Sequence, residues 1–155
     1  MLTYRKATAE DTMLYFEWAN DETVRLNSIN RSNIELADHI AWFNRKVAAP
    51  DTIMLLFLEN DKAIGQLRIE IEHESNEAVI NYSIAKESRG KGFGTTMLAQ
   101  TWEYFSRLGI KYPLVGFVKP GNIASISAFV KAGYEKLDGL FTINNEPYFK
   151  FSKCD

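Results

Sequence analysis

The densest chemical signal in the sequence is a run of six residues, Arg89-Gly90-Lys91-Gly92-Phe93-Gly94. Alternate positions are glycine, and Arg89 and Lys91 bring two cations between them. A strand-like run precedes the loop and a helical pattern follows it. A helix N-terminus presents unpaired N–H groups and a partial positive charge. Glycines let such a backbone approach a phosphate, and basic side chains add full charges. The loop reads as a diphosphate cradle. The plainer alternative is a glycine-rich turn that opens a helix. A P-loop is excluded, because Gly90-Lys91 is followed by Gly92 where Ser or Thr is required. A dinucleotide fingerprint starting at Gly92 is excluded too, because it needs Gly or Ala where Met97 stands, and a parallel unit ahead of the loop.

The elements that must position this loop follow from periodicity. Leu2 to Ala7 is a short strand. Thr8 or Asp11 caps a helix running to Asn20, with Leu14, Tyr15 and Trp18 on one face. Ile34 to Val47 is a second helix with Leu36, Ile40 and Phe43 as its apolar line, stopped at Pro50-Asp51. Thr52 to Glu59, Ala63 to Glu72 and Ala78 to Ile84 form an antiparallel meander, with Asn60-Asp61 as its first turn. In the second of these strands Leu67, Ile69 and Ile71 alternate with Arg68, Glu70 and Glu72. After the loop come a helix from Thr95 to Leu108, a strand from Leu114 to Val118 and a helix from Asn122 to Ala132. Gly133-Tyr134 then opens two more strands, the last from Pro147 to Ser152. That order predicts an α/β sandwich on a mixed sheet.

Composition bounds the rest. A chain of 155 residues, 46% hydrophobic and 25% charged, is one ordinary globular domain. A net charge of −2 gives no general attraction to nucleic acid or to anionic membrane. Cys154 has no disulfide partner, and two histidines, His39 and His73, make no recognisable metal spacing, so no metal is expected. The charged start and the absence of any long apolar run predict a cytoplasmic protein.

A second constellation lies downstream: Asn122-Ile123-Ala124-Ser125, then Phe129, then Gly133-Tyr134. Together with Arg89-x-x-Gly92-x-Gly94 it resembles the two cofactor motifs of the GNAT superfamily of N-acetyltransferases, and the element order matches over essentially the whole chain. The resemblance implies a single domain over 1–155, α/β, with a GNAT-like, mostly antiparallel mixed sheet flanked by helices. It implies acetyl-CoA as cofactor and CoA as product. The diphosphate would follow Arg89, Gly90, Lys91, Gly92, Phe93, Gly94 and Thr95. Pantetheine would run between splayed strands, Ala78–Ile84 and Leu114–Val118, near Ser83, Ile84, Asn122, Ser125 and Phe129.

Direct transfer to an amine needs a route for the amine's proton and a donor for the departing thiolate. Many relatives place a Glu where Val79 stands, so Glu70, Glu72 or a water held by Asn81 or Ser83 are the substitutes, with a solvated strand face as the alternative for both glutamates. Phe129 replaces a tyrosine common in the family. Ser125 is therefore the expected donor, with Tyr82 and Tyr134 as competitors. For the acceptor, Trp18-Ala19-Asn20-Asp21 through Arg25 and Asn27, with His39-x-x-Trp42-Phe43, is similar to acetyltransferases of nucleotide-linked amino sugars of the pseudaminic-acid type. Part of it is shared with ribosomal-protein N-terminal acetyltransferases. Arg25, Asn27, His39, Trp42 and Asn81 are the substrate candidates, and core packing is the alternative for His39 and Trp42. The expected partner is a small-molecule amine, nucleotide-linked, with a homodimer as a further arrangement. The rival functions are a protein N-terminal acetyltransferase and a CoA-binding module without catalysis.

Overall fold

The computed structural model describes all 155 residues. Eight strands form one sheet in the order β1-β2-β3-β4-β5-β8-β6, with β7 paired to β8. They are β1 (Leu2–Lys6), β2 (Thr52–Glu59), β3 (Lys62–Glu72), β4 (Glu77–Ile84), β5 (Leu114–Val118), β6 (Glu135–Lys136), β7 (Phe141–Ile143) and β8 (Glu146–Lys153). Every pairing is antiparallel except that of β4 with β5. Five helices pack on it: α1 (Thr12–Ala19), α2 (Glu22–Leu26), α3 (Leu36–Ala48), α4 (Phe93–Ser106) and α5 (Ile123–Lys131). The mixed, mostly antiparallel sheet expected from sequence is present.

Strand alternation divides the core in two. Leu55, Phe57, Leu67, Ile69, Ala78 and Ile80 face a larger core shared with Met97, Leu98 and Phe105 of α4 and Phe129 of α5. Met54 and Leu56 face a smaller one with Tyr15 of α1 and Phe43 of α3. A strand buried on both faces reads as an unbroken apolar run, which is how Ile53 to Leu58 reads. On that second face β3 and β4 set Gln66 opposite Ser83 and Arg68 opposite Asn81.

Several expectations need correcting. The segment around Arg25, between the two helices expected to Asn20 and from Ile34, contains α2, a five-residue helix. It is too short to show a period, and it is held by Asp21, whose carboxylate accepts from the N–H of Thr23 and Val24. In α3 the inward line is His39 and Phe43, while Leu36 and Ile40 stay exposed. A histidine takes an apolar place there because its ring finds a backbone partner. Leu108 lies past the end of α4 and is exposed. After Gly133 there are three strands, not two, with Gly139 at positive φ between β6 and β7.

Candidate functional site

The parallel pair is short. β4 and β5 are in register from Ala78–Leu114 to Ile80–Gly116 and then diverge. At the last paired position a Cβ on Gly116 would lie 2.3 Å from Cζ of Phe129, so the ring packs directly against the β5 backbone. That ring is fixed beneath the strands, stacked on Phe151 at 5.1 Å and edge-on to Tyr134 at 5.1 Å. The splay opens a cleft of about 380 Å³ between Asn81–Ile84 of β4 and Phe117–Val118 of β5.

At one end of the cleft lies the Gly-rich loop. Gly90 and Gly92 have φ of +78° and +81°, a left-handed backbone that favours glycine. Gly92 is the N-cap of α4, so no side chain satisfies the first amides of that helix. Gly90, Gly92, Phe93, Gly94 and Thr95 all line the cleft. Uncapped N–H groups at the start of a fourteen-residue helix suit an anion. Arg89 lines the cleft too, but its guanidinium is engaged: Nε donates to the Ile84 carbonyl at 3.0 Å and Nη2 to Asp21 at 2.8 Å. It ties the loop to the start of α2. Lys91 is exposed and does not line the cleft. A Cβ on Gly94 would make ordinary contacts, with Ala128 at 3.4 Å and Ile84 at 3.5 Å, so packing does not by itself demand glycine there.

Further along the cleft, Tyr82 and Ser125 are hydrogen-bonded, oxygen to oxygen, at 2.9 Å. Asn122 caps α5 by accepting from the Ser125 N–H, which fixes that end of the pair. Burial pushes the Tyr82 phenol above its ordinary pKa, against the opposing bond to Ser125. Asn122, Ser125 and Phe129 all line the cleft with Ser83 and Ile84. Tyr134 does not: its hydroxyl donates to the Leu98 carbonyl at 3.1 Å inside the core, and burial pushes its pKa up. Sequence could not tell a phenol facing the cleft from one spent on a helix carbonyl.

On the other side of β4 is a second cavity of about 450 Å³ between the sheet and α1, α2 and α3. Four residues line both cavities: Val24, Ser28, Asn81 and Ser83. The two spaces therefore meet beside β4. His39 and Trp42 stand on the wall of the second cavity. His39 Nε2 lies 2.8 Å from the Thr12 carbonyl. A carbonyl only accepts, so Nε2 carries the hydrogen and Nδ1 keeps its lone pair. Burial lowers the His39 pKa below its ordinary value of 6.5, with the Thr12 bond acting the other way. Trp42 carries the Arg68 guanidinium 4.9 Å from its ring centroid.

Three candidates behave differently from expectation. Arg25 lines the second cavity, yet Nε donates to Ala19, Nη1 to Asn30 and Ser32, and Nη2 to Ser28. Four of its five N–H groups are thus spent on closing the loop after α2. None goes to a carboxylate, so the charge itself is not neutralised. Asn27 donates to the Thr23 carbonyl and lines the first cleft instead. Glu70 lines neither cavity. Burial works to raise its pKa, but the hydrogen bond from Lys46 and the charge of Arg68 outweigh it and leave a net lowering, which makes it a weak base. The residue sequence reasoning missed is Gln66, buried on the wall of the second cavity; Asp21, read as part of the acceptor segment, is the partner of Arg89. Gln66 offered one signal, a neutral polar side chain on the same strand face as the charged Arg68 and Glu70.

A family model described as the acetyltransferase (GNAT) domain matches residues 1–135. No curated protein matches the sequence significantly. Among solved structures, that of AAC(6')-Ib in complex with ribostamycin and coenzyme A is 21% identical, with a TM-score of 0.85 over 99% of this chain and 93% of the other. Spermidine N-acetyltransferase from Vibrio cholerae, in complex with CoA and spermine, is 20% identical at a TM-score of 0.83, over 97% and 93%. The ribosomal-protein alpha-N-acetyltransferase RimL in complex with coenzyme A is 14% identical at 0.83, over 99% and 93%. No helix of the structure is long and apolar enough to cross a membrane.

Proposed function

This chain belongs to the GNAT family of acetyl-CoA-dependent N-acetyltransferases, and we propose that it acetylates a small primary amine that also bears negative charge, an amino sugar carried on a nucleotide diphosphate. One observation carries the reading: the glycine-rich cleft and the cavity beyond β4 share Asn81 and Ser83, so a thioester in one can meet an amine in the other.

Acetyl-CoA supplies an activated acetyl group and a thiolate leaving group. The chain supplies the rest. The uncapped amides of α4 receive the diphosphate. The cleft between β4 and β5 takes the pantetheine. Ser125, bonded to Tyr82, donates a hydrogen bond to the departing sulfur; burial keeps the Tyr82 phenol protonated for this pair. His39 is the base. It is neutral near pH 7, its tautomer is set by Thr12, and Nδ1 is free to accept a proton directly or through water. Glu70 is not in a position to compete.

Cavity charge supports the anionic acceptor. Arg25 has no carboxylate partner, Arg68 adds a second guanidinium that is paired with Glu70 outside the cavity, and Asp38 is the one acid on the wall. Such a wall repels a polycation of the spermine type and attracts phosphate, although Arg25 has a single N–H left to give. Thiol release from acetyl-CoA tests this with UDP-amino sugars, free amino sugars, spermine and a peptide N-terminus. UDP-amino sugars are expected to give the highest kcat/KM. Turnover of spermine or peptide with none of UDP-amino sugars would contradict the acceptor class while leaving the chemistry intact.

A further inference from the structure

Resting on the reading that the second cavity receives the acceptor amine, we propose that the side-chain carbonyl of Gln66 holds the attacking nitrogen. Gln66 would then be the residue that orients the amine at the point of transfer.

Gln66 is 7% exposed, on the face of β3 that it shares with Arg68 and Glu70. Its amide nitrogen donates to Ser83 Oγ across the strand pair at 3.0 Å. Its amide oxygen is buried and has no hydrogen-bond partner. Three other buried side-chain oxygens share that condition, on Thr12, Gln100 and Tyr148, but none of those residues lines either cavity. Gln66 does. An orphaned acceptor in the interior is a standing cost, and a donor arriving in the cavity removes it.

The location is as informative as the vacancy. Ser83 lines both cavities, and Gln66 is locked to it. The free oxygen is therefore anchored one hydrogen bond from the junction. Its chemistry fits a nucleophile better than a carboxylate would. A neutral carbonyl accepts one N–H of the amine and favours the ammonium far less than a carboxylate would, so the nitrogen gives up its proton more readily. A glutamate there would favour the charged, non-nucleophilic form. Gln66 thus positions the nitrogen, and the proton leaves by His39.

The test uses Gln66→Met, which keeps length and apolar volume while deleting the acceptor. The probes are acetyl-CoA with UDP-glucosamine, or whichever amine of the panel the wild type acetylates fastest, and the analogue with hydrogen in place of the amino group. The expected results are a fall in kcat/KM of about ten- to a hundredfold, unchanged affinity for CoA, and equal inhibition of both enzymes by the deamino analogue. Melting temperature should change little, since the substitution removes the orphaned buried oxygen and also the bond to Ser83 Oγ, two effects of opposite sign. Gln66→Glu should shift the kcat profile to higher pH. An unchanged kcat/KM in a wild type that acetylates amines would overturn this inference and leave the function standing. A matching loss of amine and deamino binding, or a lower melting temperature with no selective loss, would make Gln66 structural and also overturn it. A wild type that turns over no amine at all would remove the functional reading first.

Discussion

The Tyr82 phenol and the Ser125 hydroxyl lie 2.9 Å apart, one from β4 and one from the first turn of α5, joining the strand ahead of the Gly-rich loop to the helix of the second motif. Two hydroxyls bonded in this way act as one unit: if the phenol donates to Ser125, the serine proton is left for the leaving group. Ser125→Ala and Tyr82→Phe are each expected to slow turnover by about a hundredfold. The double variant should be little worse than either single one. CoA affinity, measured separately, should stay near the wild-type value. Multiplicative losses would show two independent roles.

Gly116→Ala should destabilise the fold by about 1–3 kcal/mol, as overpacking does in well-filled cores. The new methyl would meet a Phe129 ring that Phe151 and Tyr134 hold in place. Gly121→Ala is the control, because nothing lies within 4 Å of its Cβ position. Thermal melts of the two should differ clearly. Adding Phe129→Leu to Gly116→Ala should recover part of the loss.

The acid limb of kcat/KM should belong to His39. Burial lowers its pKa, so the ring is neutral at pH 7 and takes a proton only as the pH falls below 6.5. Its charged surroundings are Asp38 on its own helix, Arg25 on α2 and Arg68 on β3, with Tyr15 on α1. Activity should decline on acidification through that window. Stability should decline in the same window, since the unfolded chain binds the proton first. His39→Gln, which can keep a donor toward the Thr12 carbonyl, should remove this limb and lower the plateau. An unchanged limb would assign it to another group.

Arg89 and Asp21 should prove to be coupled. Their side chains are partly exposed, and Asp21 also caps α2. Burial works against ionisation of Asp21, yet the bond from Arg89 and the capped amides leave its pKa lowered. Asp21→Asn and Arg89→Gln should show a coupling above about 0.5 kcal/mol in a double-mutant cycle of stability. Both should raise KM for the amine more than the dissociation constant for CoA, because α2 walls both cavities. A selective loss of CoA affinity in Arg89→Gln would return that residue to the phosphate.

What sequence could and could not reveal divides along physical lines. The β2–β3–β4 meander and α4 were legible because long elements repeat their period many times. Leu67 and Ile69 are fully buried as their alternation implied. The loop and Asn122–Ser125 were legible because backbone contact constrains residue type locally. The partners of long polar side chains were not. Arg25, Arg89 and Tyr134 look available in sequence, yet Arg25 is spent on carbonyls of its own loop, and Arg89 and Tyr134 on a carboxylate and a carbonyl far along the chain. The short α2 left no period to read, and Gln66 became noticeable only once its burial and its unmet oxygen were visible.

The most direct test of the account is a crystal structure with CoA bound. The diphosphate should lie on the amides that follow Gly92, with pantetheine between β4 and β5. The sulfur should end where the two cavities meet, beside Ser83 and in contact with the Tyr82–Ser125 pair. A sulfur directed away from Ser83, or a CoA bound outside the β4–β5 cleft, would contradict the assignment of donor and acceptor sites.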